Sequence, residues 1–290
     1  MLHHRKNRWM YGLLACIVAI SVNLATPTVS QAGFFENLLR GVLIWGVQSY
    51  QISNLSDAQE QDFGQQIHNE LTRSGQVKLY QNQRVVSYIN EIGQRLARQS
   101  TRPNLNYKFF VVEDDSVNAF ATMGGYNYVN TGLIKTAANE AELASVIGHE
   151  IGHIAAKHSL EQMRMQARNQ GILAATGLDS SQIVQLGVAI AVDYPNSRSD
   201  ETEADDLGFN MLTRVGYAPE AMASFMKKLM AANSGGGGRP PEFLSTHPAT
   251  NDRIVRLQNK AARYSGNPQG SLYAEGLNQQ RYRSRLSPLL

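Results

Sequence analysis

Between Asn139 and Ser159 the chain reads NEAELASVIGHEIGHIAAKHS, and the pentapeptide from His149 to His153 within it constrains the fold more than any other stretch. Leu143, Val146, Ile147, Ile151 and Ile154 recur at the three- and four-residue spacing of a buried helix face, and Asn139 followed by Glu142 has the form of a capping box. On such a helix residues four apart stand one above the other, so His149 and His153 present two imidazoles to one point. Two neutral imidazoles and a carboxylate suit a tetrahedral zinc ion whose fourth position is left to water. Glu150 is then the candidate base for that water, and His-Glu-any-any-His on a helix is a metalloprotease signature with this chemistry behind it.

The third ligand must come from elsewhere. A metzincin arrangement fails, because Ala156 stands where that motif needs glycine and His158 lies five residues past His153 instead of six. Five helical residues turn through about 500°, which carries His158 roughly 140° off the metal-facing side and predicts a core or surface residue there and not a ligand. SRSDETEADDLG, Ser197 to Gly208, is the better source. With Ser199 as cap it predicts a helix running to Gly216, on which Glu201 and Asp205 share a face. Glu201 would close the metal site and Asp205 would hold a ligand imidazole from behind. The competing reading is that both acids only complement the helix dipole.

HEIGH followed about fifty residues later by ETEAD resembles the gluzincin zinc metallopeptidases related to CAAX prenyl endopeptidase and HtpX, whose pattern is HExxH…ExxAD. NAFATMGGYNYVNTGLI (Asn118 to Ile134) and STHPATNDRI (Ser245 to Ile254) agree with the periplasmic, BepA-like branch, so the resemblance covers roughly Leu55 to Leu257. Met123 departs from it, standing where such proteins often carry proline. The resemblance implies one Zn2+ per chain, held by His149, His153 and Glu201. It also implies an edge strand at Asn118, Ala119, Phe120 and Ala121 that pairs with the substrate backbone, against the plainer reading of an ordinary hairpin. His247, in the STHP stretch, falls where family members place a segment over the active site. It could latch the metal, donate a hydrogen bond to an oxyanion, or merely pack.

The 290 residues suffice for one sizeable domain. Residues 1–32 read as a signal peptide: Arg5, Lys6 and Arg8, an apolar run from Leu13 to Ala25, then Ser30 and Ala32 at small-x-small spacing. Export, to the periplasm on the resemblance, follows from that leader alone; an uncleaved anchor and a lipidated Cys16 are the alternatives. Removing the leader leaves 24 basic against 24 acidic residues, so no nucleic-acid partner is implied. Phe34, Phe35, Leu38, Leu39, Val42 and Trp45 recur at helical spacing and could give residues 33–52 a peripheral membrane contact or a place on the domain.

Farther along, Ser56 opens a helix to Leu71, a second runs from Asn82 to Gln99, and Tyr107 to Asp114 alternates as a strand. Ser159 to Val192 reads as continued helix, a break near Gly177 to Ser180 and a second apolar helix, with Met163 and Met165 filling core. Pro219 starts a helix to Ala232, Gly235 to Gly238 make a flexible connection, and another helix starts at Ala249. The expected architecture is α+β, a predominantly helical zinc-peptidase domain over 33–264 with a small sheet beside the HEIGH helix, and a loosely ordered tail over 265–290. The expected activity is that of a zinc endopeptidase acting on unfolded or misassembled envelope proteins. The alternative is an assembly factor that binds such chains and cuts little.

Overall fold

A computed structural model describes residues 55–169, 178–234, 241–266 and 271–290. The expected leader with Cys16, the 33–52 segment and Gly235 to Gly238 lie outside the described residues. Helix starts follow short polar side chains that catch a free N–H. Ser56 caps α1 (Asp57–Arg73), its Oγ accepting from the Gln59 N–H at 3.3 Å, and Asn82 caps α2 (Gln83–Ala97). Three strands come next, β1 (Lys108–Val112), β2 (Ala119–Thr122) and β3 (Tyr126–Asn130). β1 is parallel to β3 and β2 antiparallel to it, giving the order β1-β3-β2 with β2 at an edge. The turn between β2 and β3 carries Gly124 at φ 75, where a Cβ would fall 2.3 Å from the Glu60 carbonyl oxygen.

Helices fill the rest: α3 (Thr131–Thr136), α4 (Glu140–Ala155), α5 (His158–Asn169), α6 (Ser180–Asp193), α7 (Arg198–Val215), α8 (Ala221–Ser234), α9 (Phe243–Thr246), α10 (Asn251–Ala262), α11 (Ser271–Leu277) and α12 (Gln279–Arg285). The molecule is thus predominantly helical α+β with a small sheet beside the HEIGH helix, α4. No helix among the described residues is long and apolar enough to cross a membrane. Alternation along the strands builds two cores, one on each sheet face. Phe109, Val111, Ala119 and Val129 face α2 and α4, whereas Val112, Tyr126 and Tyr128 face α1, α5 and α6.

Several local expectations need correction. The chain does not continue as helix past HEIGH: α4 ends at Ala155, and Lys157 takes a left-handed φ of 63, redirecting α5. Ser197, not Ser199, caps α7, because only then can Asp200 return the bond, Ser197 Oγ accepting from the Asp200 N–H at 3.2 Å and the Asp200 carboxylate from the Ser197 N–H at 3.4 Å. α8 begins two residues after Pro219, and α10 begins behind Thr250, whose hydroxyl accepts from the Arg253 N–H at 3.3 Å. Met163 is buried as expected, but Met165 is 49% exposed.

The C-terminal residues expected to be loosely ordered form α11 and α12 and dock on the first core. Tyr282 and Leu286, four apart on one face, are buried there, and the Tyr282 hydroxyl donates to the Ile134 carbonyl at 2.7 Å. A polar composition concealed a narrow apolar stripe sufficient to hold the segment.

The contact that places the metal-site candidates is the crossing of α4 and α7. Small residues recur at four-residue spacing on both: Gly148 and Gly152 on α4, Ala204 and Gly208 on α7. At Gly152 the backbones nearly touch, since an added Cβ would lie 2.7 Å from the Ala204 carbonyl oxygen and 3.0 Å from its Cα. At Gly148 the same addition would meet Gly208 at an ordinary 3.4 Å. Gly152→Ala is therefore expected to cost about 1–3 kcal/mol through backbone displacement and to lower bound metal. Gly148→Ala should be neutral or stabilising by up to about 1 kcal/mol. Urea unfolding and metal analysis of the two variants check the contrast.

Candidate metal centre

α4 delivers His149 and His153 one turn apart, and α7, pressed against it, delivers Glu201 and Asp205 to the same level. α9 ends at Thr246, and its C-cap residue His247 joins the same group. All are buried. His149 Nε2 and His153 Nε2 stand 3.0 Å apart. The Glu201 carboxylate lies 3.4 Å from the first and 3.3 Å from the second. His247 Nδ1 is 3.0 Å from Glu201 Oε1 and 3.3 Å from His149 Nε2. Corners of a tetrahedron with arms of 2.0–2.1 Å stand about 3.3 Å apart, so these spacings fit a zinc-sized ion.

The polar contacts behind the rings support the same donor set. His149 Nδ1 is 3.1 Å from Asp205 Oδ1, and His153 Nδ1 is 2.8 Å from His158 Nδ1. When both rings are neutral, as metal binding requires, each Nδ1–H directed outward leaves both Nε2 lone pairs pointing inward at the Glu201 oxygens. Converging acceptors of this kind are what a cation satisfies. Charge is balanced with equal care. Arg253 grips Asp205 through Nε and Nη2 at 2.9 and 2.8 Å, and its Nη1 lies 2.6 Å from Glu201 Oε2.

Titration reflects these neighbours. Burial would raise the Glu201 carboxyl, but His247 and His149 hold it well below the usual range. Burial opposes a charge on His149 too, yet Glu201 and Asp205 push it up to about 10, whereas burial holds His153 down at about 3. Asp205, also desolvated, is kept at about 2 by His149 and Arg253. Glu150 is pushed up by burial, against the pull of His247 and His149, and its Oε1 lies 3.5 Å from His247 Nε2.

His149, Glu150, His153, Glu201, Asp205 and His247 stand close together here. Asn118 to Ala121 form or adjoin edge strand β2, which packs along α4; Phe120 and Ala121 line the same cavity as Glu150 and His153. Three residues were missed. His158 was set aside by helical arithmetic, which fails because the helix has already ended at Ala155. Arg253 lay in a quoted stretch without a role, and its signal would have been a lone cation following HP at a helix start. Asn196 links the Gln162 side chain, at 2.6 Å, to His247 Nδ1, at 3.2 Å, and its backbone N–H donates to the Thr246 carbonyl at 3.0 Å.

Residues 83–261 match peptidase family M48. The beta-barrel assembly-enhancing protease of Escherichia coli is 31% identical over 222 residues, 72% of this chain and 45% of that protein. Metalloprotease YcaL of the same organism is 27% identical over 257 residues, 86% and 97% of the two chains. The mitochondrial metalloendopeptidase OMA1 of Schizosaccharomyces pombe is 31% identical over 174 residues, 59% and 51% of the two. The chain thus spans less than half the length of the assembly-enhancing proteases it matches.

The geometry separates a group aimed at the ion from one aimed at a ring. Glu201→Gln should abolish stoichiometric metal, whereas Asp205→Asn should weaken metal affinity by about 10- to 100-fold. Chelator competition on the two purified variants measures both, and a larger loss for Asp205→Asn would reverse the two roles.

Proposed function

Because the chain belongs to peptidase family M48, a family of metallopeptidases, we propose that it is a zinc endopeptidase with His149, His153 and Glu201 as ligands and Glu150 as base. The observation that carries this reading is the convergence of two Nε2 atoms and one carboxylate within hydrogen-bond distance of each other, with Glu150 in the same buried cavity. Zinc, when bound there, supplies a Lewis acid and lowers the pKa of water. Glu150 takes the proton of the attacking water and passes it to the departing amine. Its raised pKa suits a group that must both accept and return a proton. Asp205 and His158 orient the ligand rings, and Arg253 keeps two adjacent carboxylates from repelling one another.

Asn118, Ala119, Phe120 and Ala121, along edge strand β2, are the proposed seat of the substrate backbone, and Phe120 and Ala121 line the cavity. Main-chain pairing there gives grip with little sequence preference, which suits unfolded chains. The cavity next to Glu150 measures about 30 Å³ with His247 in place, room for a water or two and not for a peptide. His247 is accordingly read as a latch: its Nδ1 stands beside Glu201 and His149, held by Asn196, and its segment moves aside when a substrate enters. The name of the beta-barrel assembly-enhancing proteases, and the expected leader, support an exported enzyme acting on unfolded or misassembled envelope proteins.

Two variants test the assignment. Glu150→Gln should keep near-stoichiometric zinc and lose at least ~10²-fold in turnover of an unfolded protein; lost zinc or retained activity overturns its role as base. His247→Ala should retain zinc and cut faster than wild type, whereas a drop of roughly 10²-fold would identify an oxyanion donor. An unchanged rate would leave it as packing.

A further inference from the structure

Helix α10 carries Arg256, Asn259 and Lys260 at helical spacing, and Arg263 follows as its C-cap residue. Seven helical residues place the first and last of these about 10 Å apart along the axis. Together with Phe209, Asn210 and Thr213 of α7, and with Tyr264, these four line a surface trough of about 590 Å³. Its base is apolar: the Phe209 ring is buried in a third cluster with Met222, Ile254 and Leu257, and Tyr264 meets that ring in a T-shaped contact at 6.2 Å.

Three cations line the trough and no carboxylate does. One acid lies next to it: Asp206 Oδ1 accepts from Arg256 Nη1 at 2.8 Å and from Lys260 Nζ at 2.5 Å, so two cations share a single negative charge. Arg256 Nη2 also reaches the Thr202 carbonyl at 3.1 Å and Asp205 Oδ2 at 3.4 Å, but Asp205 is already gripped by Arg253. Arg263 makes no ion pair among the described residues. In a chain of 27 basic and 24 acidic residues such an imbalance is local, and a concavity lined by one sign of charge concentrates its field. Because Asp206 and Thr202 hold Arg256 and Lys260 in place beforehand, a ligand has little side-chain ordering left to meet.

We propose that this trough is a second binding site, distinct from the cavity beside Glu150, for a small ligand bearing two or more phosphate groups. A guanidinium donates paired N–H bonds to phosphate oxygens, and an ammonium adds a point charge beside it. Each phosphate brings more than one negative charge and three acceptor oxygens, which answers the surplus better than a carboxylate. Cations spread over about 10 Å call for more than one such group, and the Asn210 and Asn259 amides supply neutral donors. The concave shape and the volume are those of a small-molecule site and not of a face for a flat bilayer. None of the lining residues is a proposed metal ligand, base or substrate contact, so this site stands apart from the endopeptidase reading.

Calorimetric titration of the full zinc-loaded protein with inorganic pyrophosphate tests this, with bound zinc measured before and after. Wild type should bind pyrophosphate saturably, and Arg263→Glu, which reverses an exposed charge, should weaken that binding at least ~10-fold. Lys260→Met and Asn259→Asp should act in the same direction, and either stands in for Arg263→Glu if that variant loses its helical circular dichroism. Arg283→Glu, an equal charge reversal on exposed α12, should bind as wild type does. No binding by wild type, or equal binding by wild type and Arg263→Glu, as extraction of zinc by pyrophosphate would give, overturns the proposal. Equal weakening by Arg283→Glu does the same, since it would reveal attraction to net charge alone. Binding to phosphatidylglycerol vesicles without binding to pyrophosphate would also sink it, in favour of a membrane contact.

Discussion

Two backbones in near contact set the geometry of everything else. Where α4 crosses α7, Gly152 and Ala204 leave no room even for a methyl group, and that closeness brings carboxylates from one helix within 3.5 Å of imidazoles on the other. Ordinary helix pairs stand 8–10 Å apart because side chains separate them. The glycine inside HEIGH is therefore as much a part of the centre as its histidines: it shortens the distance across which Glu201, a side chain of modest reach, must act. The small sheet completes the arrangement by laying β2 along α4, so the cavity is walled by β2, α4, the start of α5, the ends of α6 and α9, and the loop through Asn196.

Bringing so many ionisable groups out of water would be ruinous without compensation. Here the buried carboxylates other than Glu150 have assigned partners: Asp205 and Glu201 share Arg253, while at the start of α4 Glu140 receives hydrogen bonds from Tyr88, Tyr217 and Arg95, and Glu142 from Ser224 and Lys228. Glu60 does the same work at the far end, pairing with Arg102 and Lys157, and Arg102 also donates to the Ile154 carbonyl at 3.1 Å. The HEIGH helix is thus fastened at both ends by buried ion pairs, which fix its rotation and hence the direction in which its histidines point.

How much of this was legible in the sequence follows from whether a rule acts locally. Asn139 and Ser56 announce their helices because capping is a matter of three residues, and the stripe through Ile147, Ile151 and Ile154 announces a buried face because periodicity is intrinsic to a helix. His149, Glu150, His153, Glu201 and Asp205 could be named because each is a chemical type at a readable spacing. His158 could not, since its use depends on a left-handed turn at Lys157 that no propensity predicts for lysine. Arg253 and Asn196 were hidden for a different reason: their partners lie on other elements, and nothing nearby in the chain marks a polar residue as buried. Tyr282 and Leu286 escaped because two apolar residues in a polar tail suffice when a ready groove receives them.

The separations involved also govern when the centre comes into being. His149 meets His247 across 98 residues, Asp205 meets Arg253 across 48, and Tyr282 meets Ile134 across 148. Contacts of such long range form late, after the entropy of closing the intervening loops has been met. A chain appearing from its N-terminal end carries HEIGH well before the groups that fasten and complete it, so a half-emerged molecule has the motif without the machinery. The wiring of the fold itself thereby makes completion of the centre one of the last events of folding.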